Sequence, residues 1–506
     1  MKKLFTFLFL MLSLVVFAQK KSSPSPYAKS ITASDLQKHL YTVASKEMQG
    51  RETATPGQKK AAAYIEDYFK SLGLQPGNKG SYQMSFPVYQ DEVLKSILEI
   101  NNAAYKLNDE YQPYSFTNYN TSQYFSEVVF AGHGIADSTF NDYSDVNAAG
   151  KLVMIMDGAP SAYQSKGSPG IFTKIMNAQK KGAAGILIVS NNFPRTARAT
   201  GSMYRELYRS SQYLPTWYIS EKLAAVLMGE TDWANVKEDY KKEKLPAKVY
   251  AANIHLEFEK KVNKMESSNV LGLLEGTDLK DEYVFLTAHY DHIGMRNDTT
   301  IFYGADDDGS GTVSILELAE AFTKAKAEGK GPRRSIVFMT VSGEEKGLWG
   351  SEYYANNPTY PLDKTTVDLN IDMIGRIGEE YLKHKDSANY VYVIGDDKLS
   401  SDLVTITNQV NKNLKLKLDR KYNDLNDKNR FYYRSDHYNF AEKGVPIIFY
   451  FNGVHADYHR ATDTPDKINY KLLTKRAQLV FYTAWEMANR NDMLKRDLKL
   501  DPPKAF

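Results

Sequence analysis

The sequence predicts an α/β fold: a mixed, largely parallel β-sheet covered by helices on both faces, with a smaller β-rich domain inserted. Three observations carry this. From about residue 265 the chain repeats a strand, loop, helix pattern, which buries a sheet between two helical layers. Between about 121 and 255 the texture changes to short β-rich runs, as expected of a separate inserted unit. The composition, 42% hydrophobic and 25% charged over 506 residues, is that of a folded globular chain long enough for more than one core.

Taken in order, residues 1–18 read as a signal peptide: Lys2 and Lys3, an apolar run from Leu4 to Phe17, and Ala18 at the cleavage point before Gln19. The run is too short to span a bilayer comfortably, so the expectation is an exported protein, periplasmic or secreted, without stable membrane insertion. Residues 19–120 begin the main domain. Thr32, with Asp35 three residues on, signals one helix. Thr55 as cap, Pro56 at the first turn, Gln58 completing a capping box and Gly73 as the stop mark a second, whose Ala62, Ile65, Phe69 and Leu72 recur at helical spacing. Within the insert, 121–255, strands are expected at 127–130, 151–156, 185–189 and 214–219, with a helix at 171–181. In the remaining domain, 256–506, strands are expected at 269–274, 283–288, 335–341, 367–371, 390–394 and 446–451, and helices at 312–327, 400–413 and 471–489.

Lys and Arg number 64 against 61 Asp and Glu, and this near balance argues against a nucleic-acid partner. The chain has no cysteine, which excludes a disulfide framework, a thiol nucleophile and a thiolate metal site.

The chemistry lies in the C-terminal half. His289, Asp307, Glu345, Asp372 and His459 are imidazole and carboxylate donors, and Glu344 adds a carboxylate beside the third. Zinc takes such ligands, four per ion, and a hydrolytic site keeps one position open. Two ions about 3.5–4 Å apart therefore need roughly five protein ligands if one carboxylate bridges them. His289, Glu345, Asp372 and His459 each follow a predicted strand, and ligands of open α/β sheets gather outside the carboxyl ends of strands. Asp307 reaches the same rim on the loop before the next helix. Asp291, two residues after His289, is placed to accept the other ring N–H of that imidazole. Asp306 to Glu317 also fits the acids of a calcium loop, but the entering segment Thr299 to Gly304 is β-like rather than helical. His455 and His459 compete for the last ligand. There is no His-Glu-x-x-His and no Gly-x-Ser-x-Gly, so zincin and serine-hydrolase readings lack their nucleus.

Together these residues resemble metallopeptidase family 28, the di-zinc aminopeptidases. The resemblance rests on His289-Tyr-Asp291-His, Gly304-Ala-Asp-Asp307-Asp-Gly-Ser-Gly311, Glu344-Glu345-x-Gly-Leu-x-Gly350-Ser351, Asp372-Met-Ile-Gly-Arg376 and Tyr458-His459-x-x-x-Asp463-Thr464, all in the family's order. The insert resembles the protease-associated (PA) domain in the run Val128 to Ile135, in Gly150-Lys151 and in Lys181 to Gly185. The resemblance implies the zinc exopeptidase (phosphorylase/hydrolase-like) fold and two zinc ions. One zinc would be held by His289 and Asp372, the other by Glu345 and His459, with Asp307 bridging. It further implies Glu344 as general base toward a metal-bridging water, Tyr458 steadying the oxyanion, a cis peptide after Asp307, and peptide substrates cut from their N-termini. Carboxypeptidase action, with Arg376 or Arg434 binding a free carboxylate, glutaminyl-cyclase-like activity, and a non-catalytic binding protein on the same scaffold are the alternatives.

Overall fold

Alternate residues of the central strands enter opposite cores, so the sheet is buried on both faces. In the computed structural model, which describes residues 23–500 apart from 115–118, 139, 162, 164–168, 197–199, 208–211, 240–243 and 298, the chain divides into two compact units. One comprises the described residues through Phe86 together with those from Ser267 onward; the other is Pro87–Glu266. The signal-peptide reading of residues 1–18 lies outside the described residues. Among those described, no helix is long and apolar enough to cross a membrane.

In the first unit, strand Leu279–His289 lies between Arg334–Val341 and Thr365–Ile371 and runs parallel to both. Thr365–Ile371 pairs in parallel with Ile447–Phe451, which pairs antiparallel with Tyr390–Ile394, and Lys417–Asp419 adds an edge. On the other side, residues 270–274, the end of strand Lys248–Leu274, pair antiparallel with Arg334–Val341. Val284, Leu286, Ile336 and Phe338 enter a core shared with helices Ala33–Val43, Pro56–Ser71, Gly311–Ala327 and Tyr470–Asn489. Their neighbours Phe285, Val337 and Met339 enter a second core under helices Trp349–Asn356 and His437–Glu442. This is the period-two alternation of a pleated strand. The register sets His289 opposite Val341 and Ile371 opposite Tyr450, so the carboxyl ends of these strands share one rim.

The signalled helices form, with one difference in how they start. Thr32 accepts the Asp35 N–H as a cap should. Thr55 does not cap Pro56–Ser71: its hydroxyl donates to the Glu52 carbonyl at 2.6 Å, and Gln58 is buried against the Tyr290 hydroxyl. The capping-box reading is therefore corrected, because a buried tertiary partner outcompetes a local one for Gln58.

The second unit carries strands Thr121–Phe130, Leu152–Met156, Gly185–Ser190 and Thr216–Ser220 in parallel succession, with helix Ile171–Lys180. It reaches beyond the 121–255 set apart by texture. Leu98, Ile100, Leu256 and Phe258 pack with Val128, Leu152 and Trp217 in one core, so the flanking strands Gln83–Ile100 and residues 248–266 supply part of its interior.

Candidate metal centre

His289 is the last residue of its strand, and Asp372 directly follows Thr365–Ile371. Glu344 and Glu345 sit on a one-turn helix after Arg334–Val341, entered through Gly343 at φ 85°, a backbone region that penalises any Cβ. Asp307 precedes helix Gly311–Ala327, and the peptide bond between Asp307 and Asp308 is cis. His459 lies in the loop after Ile447–Phe451 with φ 56°, a left-handed conformation that costs a non-glycine residue about 1 kcal/mol and recurs at functional sites.

The two oxygens of Asp307 face different histidines. Oδ1 is 3.3 Å from His289 Nε2, and that nitrogen is 3.7 Å from Asp372 Oδ1. Oδ2 is 3.1 Å from His459 Nε2, which is also 3.1 Å from Glu345 Oε2. All five sequence-derived ligands thus come together, in the two sets joined by Asp307 that the resemblance implied. Glu344 joins them, with Oε2 3.9 Å from His289 Nε2. The second candidate for the last ligand goes elsewhere: His455 Nε2 lies 3.1 Å from Asp306 Oδ2. Nor do the acids of the calcium-loop reading converge. Asp306 accepts the Gly375 N–H, Asp308 accepts the N–H groups of Gly311 and Met373, and Glu317 sits 3.5 Å from His39.

Asp291 is fully buried, but its role differs in detail from the expected one. His289 Nδ1 lies 3.1 Å from the Asp291 main-chain carbonyl and 3.8 Å from its carboxylate. The carboxylate accepts the Thr53 hydroxyl at 2.7 Å and the Glu344 N–H at 3.3 Å instead. The carbonyl still directs Nδ1–H inward and leaves Nε2 facing the site. Ser435 does for Asp372 what the sequence did not foretell, donating its hydroxyl to Oδ2 at 2.7 Å while accepting Asn370. The other missed residue is His292, whose Nδ1 is 2.8 Å from Glu345 Oε1. Its only sequence signal is its place at the end of His-Tyr-Asp-His.

These residues fit a pair of metal ions. His289 Nε2, His292 Nδ1, Asp307 Oδ2 and Glu345 Oε1 are buried and have no hydrogen-bond partner, which an interior tolerates only where another partner is supplied. The donor atoms of His289, Glu344 and Asp372 lie within 4.8 Å of one another, as do those of His292, Asp307 and Glu345. The charge also demands cations. Burial pushes Glu344 well above the usual carboxylate range, with Glu345 and Asp372 adding to the shift and His289 opposing it. Against its own burial, His459 is pushed up to about 10 by Asp307 and Glu345. Four clustered carboxylates buried together call for cations to balance them.

A cavity at this cluster is lined by Asp307, Glu344 and Asp372 together with Met373, Phe431, Phe449, Phe451 and Val454. Tyr458 and Arg434 also line it. The tyrosine ring stacks on His459 at 3.9 Å, and Arg434 Nη2 donates to its hydroxyl at 3.2 Å. Arg376, the other guanidinium considered for a carboxylate, is paired with Asp457 at 2.9 Å.

The model of peptidase family M28 matches residues 269–484, and that of the PA domain matches 124–227. Aminopeptidase YwaD of Bacillus subtilis is 25% identical over 259 residues, 47% of this chain and 50% of that protein, so the chain spans about half the length of this curated relative. Among solved structures, an aminopeptidase from Aneurinibacillus sp. strain AM-1 has a TM-score of 0.55 at 20% identity, covering 96% of this chain and 99% of that one. A zinc aminopeptidase from Bacillus subtilis, BSAP, has a TM-score of 0.54 at 19% identity, covering 93% and 99%. These likenesses show a shared fold. With the ordered donor set on the rim of its sheet and both family models matched, the chain carries a peptidase family M28 domain over residues 269–484 and a PA domain over 124–227.

Proposed function

We propose that the protein is an exported zinc-dependent exopeptidase, an aminopeptidase that removes N-terminal residues from peptides with two zinc ions. The carrying observation is Asp307, whose two oxygens each face a separate imidazole and carboxylate set. His289 and Asp372 would hold one ion and Glu345 and His459 the other, with Asp307 shared between the two sets. When bound, the ions supply Lewis acidity that polarises the scissile carbonyl and activates water for attack.

The chain's own residues do the rest. Glu344 takes the proton from the attacking water and returns it to the leaving amine, a role its place beside His289 and next to Glu345 suits. Tyr458, braced by Arg434, donates its hydroxyl to the oxyanion that develops on the carbonyl. Asp291 fixes the His289 ring through its main chain and the Glu344 backbone through its side chain. The lining of Met373, Phe431, Phe449, Phe451 and Val454 suits an apolar substrate side chain. The name of the YwaD relative supports the same exopeptidase direction.

Glu344→Gln should leave zinc content unchanged while lowering kcat by about 10²–10⁴, the usual worth of a positioned general base. Wild-type turnover in that variant would remove Glu344 from the mechanism. Exhaustive chelation should abolish hydrolysis and zinc should restore it. Peptides with free N-termini should be cleaved and N-acetylated ones spared, whereas cleavage from the C-terminus would replace this reading with the carboxypeptidase one. Export is checked by cell fractionation, with the mature N-terminus expected at Gln19.

A further inference from the structure

Three buried imidazoles of the first unit have hydrogen-bond partners away from the metal centre. His437 Nε2 is 2.8 Å from the Tyr432 carbonyl, His39 Nδ1 is 2.7 Å from the Tyr64 hydroxyl, and His455 Nε2 is 3.1 Å from Asp306. His292 differs. It is 0% exposed, and neither ring nitrogen has a hydrogen-bond partner. Its Nδ1 nevertheless lies 2.8 Å from Glu345 Oε1 and 3.8 Å from Asp307 Oδ2. A nitrogen and an oxygen at this distance but not aligned as a hydrogen bond leave both atoms available to a shared third partner. His289 Nε2 shows the same arrangement against Asp307 Oδ1, at 3.3 Å and equally without a partner. His292 therefore carries the signature of a residue already placed among the metal donors.

The ring is also held there. The His292 N–H donates to the Arg51 carbonyl at 3.3 Å, and its Cγ packs on Gly304, where a Cβ would come within 2.5 Å. Gly304 has φ 56°, so the close approach and the backbone conformation both require glycine. The ring centroid is 5.9 Å from that of His459, which fits two imidazoles flanking one ion.

We infer that His292 is a fourth protein donor, through Nδ1, to the metal position otherwise formed by Asp307, Glu345 and His459. The inference rests on the two-metal reading above. It makes the two positions unequal. The one built from His289, Asp307 and Asp372 keeps the three protein ligands of an open catalytic zinc site, whereas the other approaches the four-ligand closure of a structural site.

The test is zinc binding, measured by metal analysis at buffered free zinc. Wild type should bind two ions. His292→Ala should keep one with unchanged affinity and bind the other at least ten-fold more weakly. His292→Asn should resemble Ala, because its amide can replace a hydrogen bond to Glu345 but is a poor zinc ligand. Full retention of both ions by the Asn variant would mean that His292 only positions Glu345, and would overturn the inference. A readout that needs no variant is the proton–cadmium correlation spectrum of the ¹¹³Cd-substituted wild-type protein. Ring C–H protons of three histidines should couple to cadmium, and coupling from two alone overturns the inference. If wild type binds fewer than two zinc ions, the two-metal function falls with it; if wild type and His292→Ala bind two ions equally well, only this inference falls.

Discussion

Replacing Arg51 with lysine tests whether the N-terminal segment holds the metal centre together. The guanidinium is 0% exposed and donates to four main-chain carbonyls: Tyr290 at 2.7 Å, Val43 at 2.9 Å, Tyr303 at 2.7 Å and Gly304 at 2.9 Å. Tyr290 follows His289, and Gly304 leads into Asp307, so one side chain ties together the two loops that carry these candidate ligands. Burial disfavours the charge, and Asp291, Asp307, Asp308 and Asp463 compensate for it. Lysine keeps the charge but presents its donors from a single point, and cannot span the width of the guanidinium fork. If it satisfies two of the four carbonyls, the other two are left buried and unpaired at about 1–3 kcal/mol each, or about 2–6 kcal/mol in all. Against a typical total of about 5–15 kcal/mol, that is a large share of the stability. Urea unfolding of the zinc-free protein should show the loss directly. Zinc titration should show weaker binding at both positions, because the loops that carry His289 and Asp307 loosen together. An Arg51→Lys variant with the wild-type urea midpoint and wild-type zinc affinity would refute the claim that this side chain organises the centre.

Ser435→Ala removes the hydroxyl that orients Asp372 Oδ2, and zinc affinity at the position of His289 and Asp372 should fall by about 10–100-fold, read by competition with a chelating dye. Unchanged affinity would make the contact incidental. His437 gives a pH prediction. Burial pushes its imidazole down to about 3 from 6.5, with the Tyr432 carbonyl opposing, so below pH 6.5 the unfolded chain binds a proton that the native state refuses. Stability from this group is complete above pH 6.5 and is lost as pH falls, by about 2 kcal/mol between pH 6.5 and 5 at about 1.4 kcal/mol per pH unit. In His437→Phe, which keeps a ring against Phe449, the urea midpoint should fall less over that interval than in wild type, and parallel slopes would contradict the assignment.

The order of the chemistry was legible along the chain because a donor at the end of an apolar strand is a local pattern. His289, Glu345, Asp372 and His459 follow four such runs, and parallel register carries those ends to one rim. Strands 283–288, 335–341 and 390–394 were equally readable, since burial on both faces makes them apolar throughout. Gln83–Ile100 and the first part of Lys248–Leu274 were not, because they alternate buried residues with exposed polar or charged ones, the former also carrying Pro87, and so lack an apolar run.

Tertiary structure alone decided where each polar group points. Gln58 reads as half of a capping box but is drawn to Tyr290, 232 residues away, and Ser435 reaches Asp372 across 63. His292 looks like the tail of a motif until its ring is placed beside Glu345, which stands far along the chain. Residue type and spacing determine which donors exist and which strand ends carry them, since those depend on backbone periodicity. Which oxygen faces which imidazole depends on side-chain rotamers chosen by packing against distant segments, and no local pattern encodes that choice.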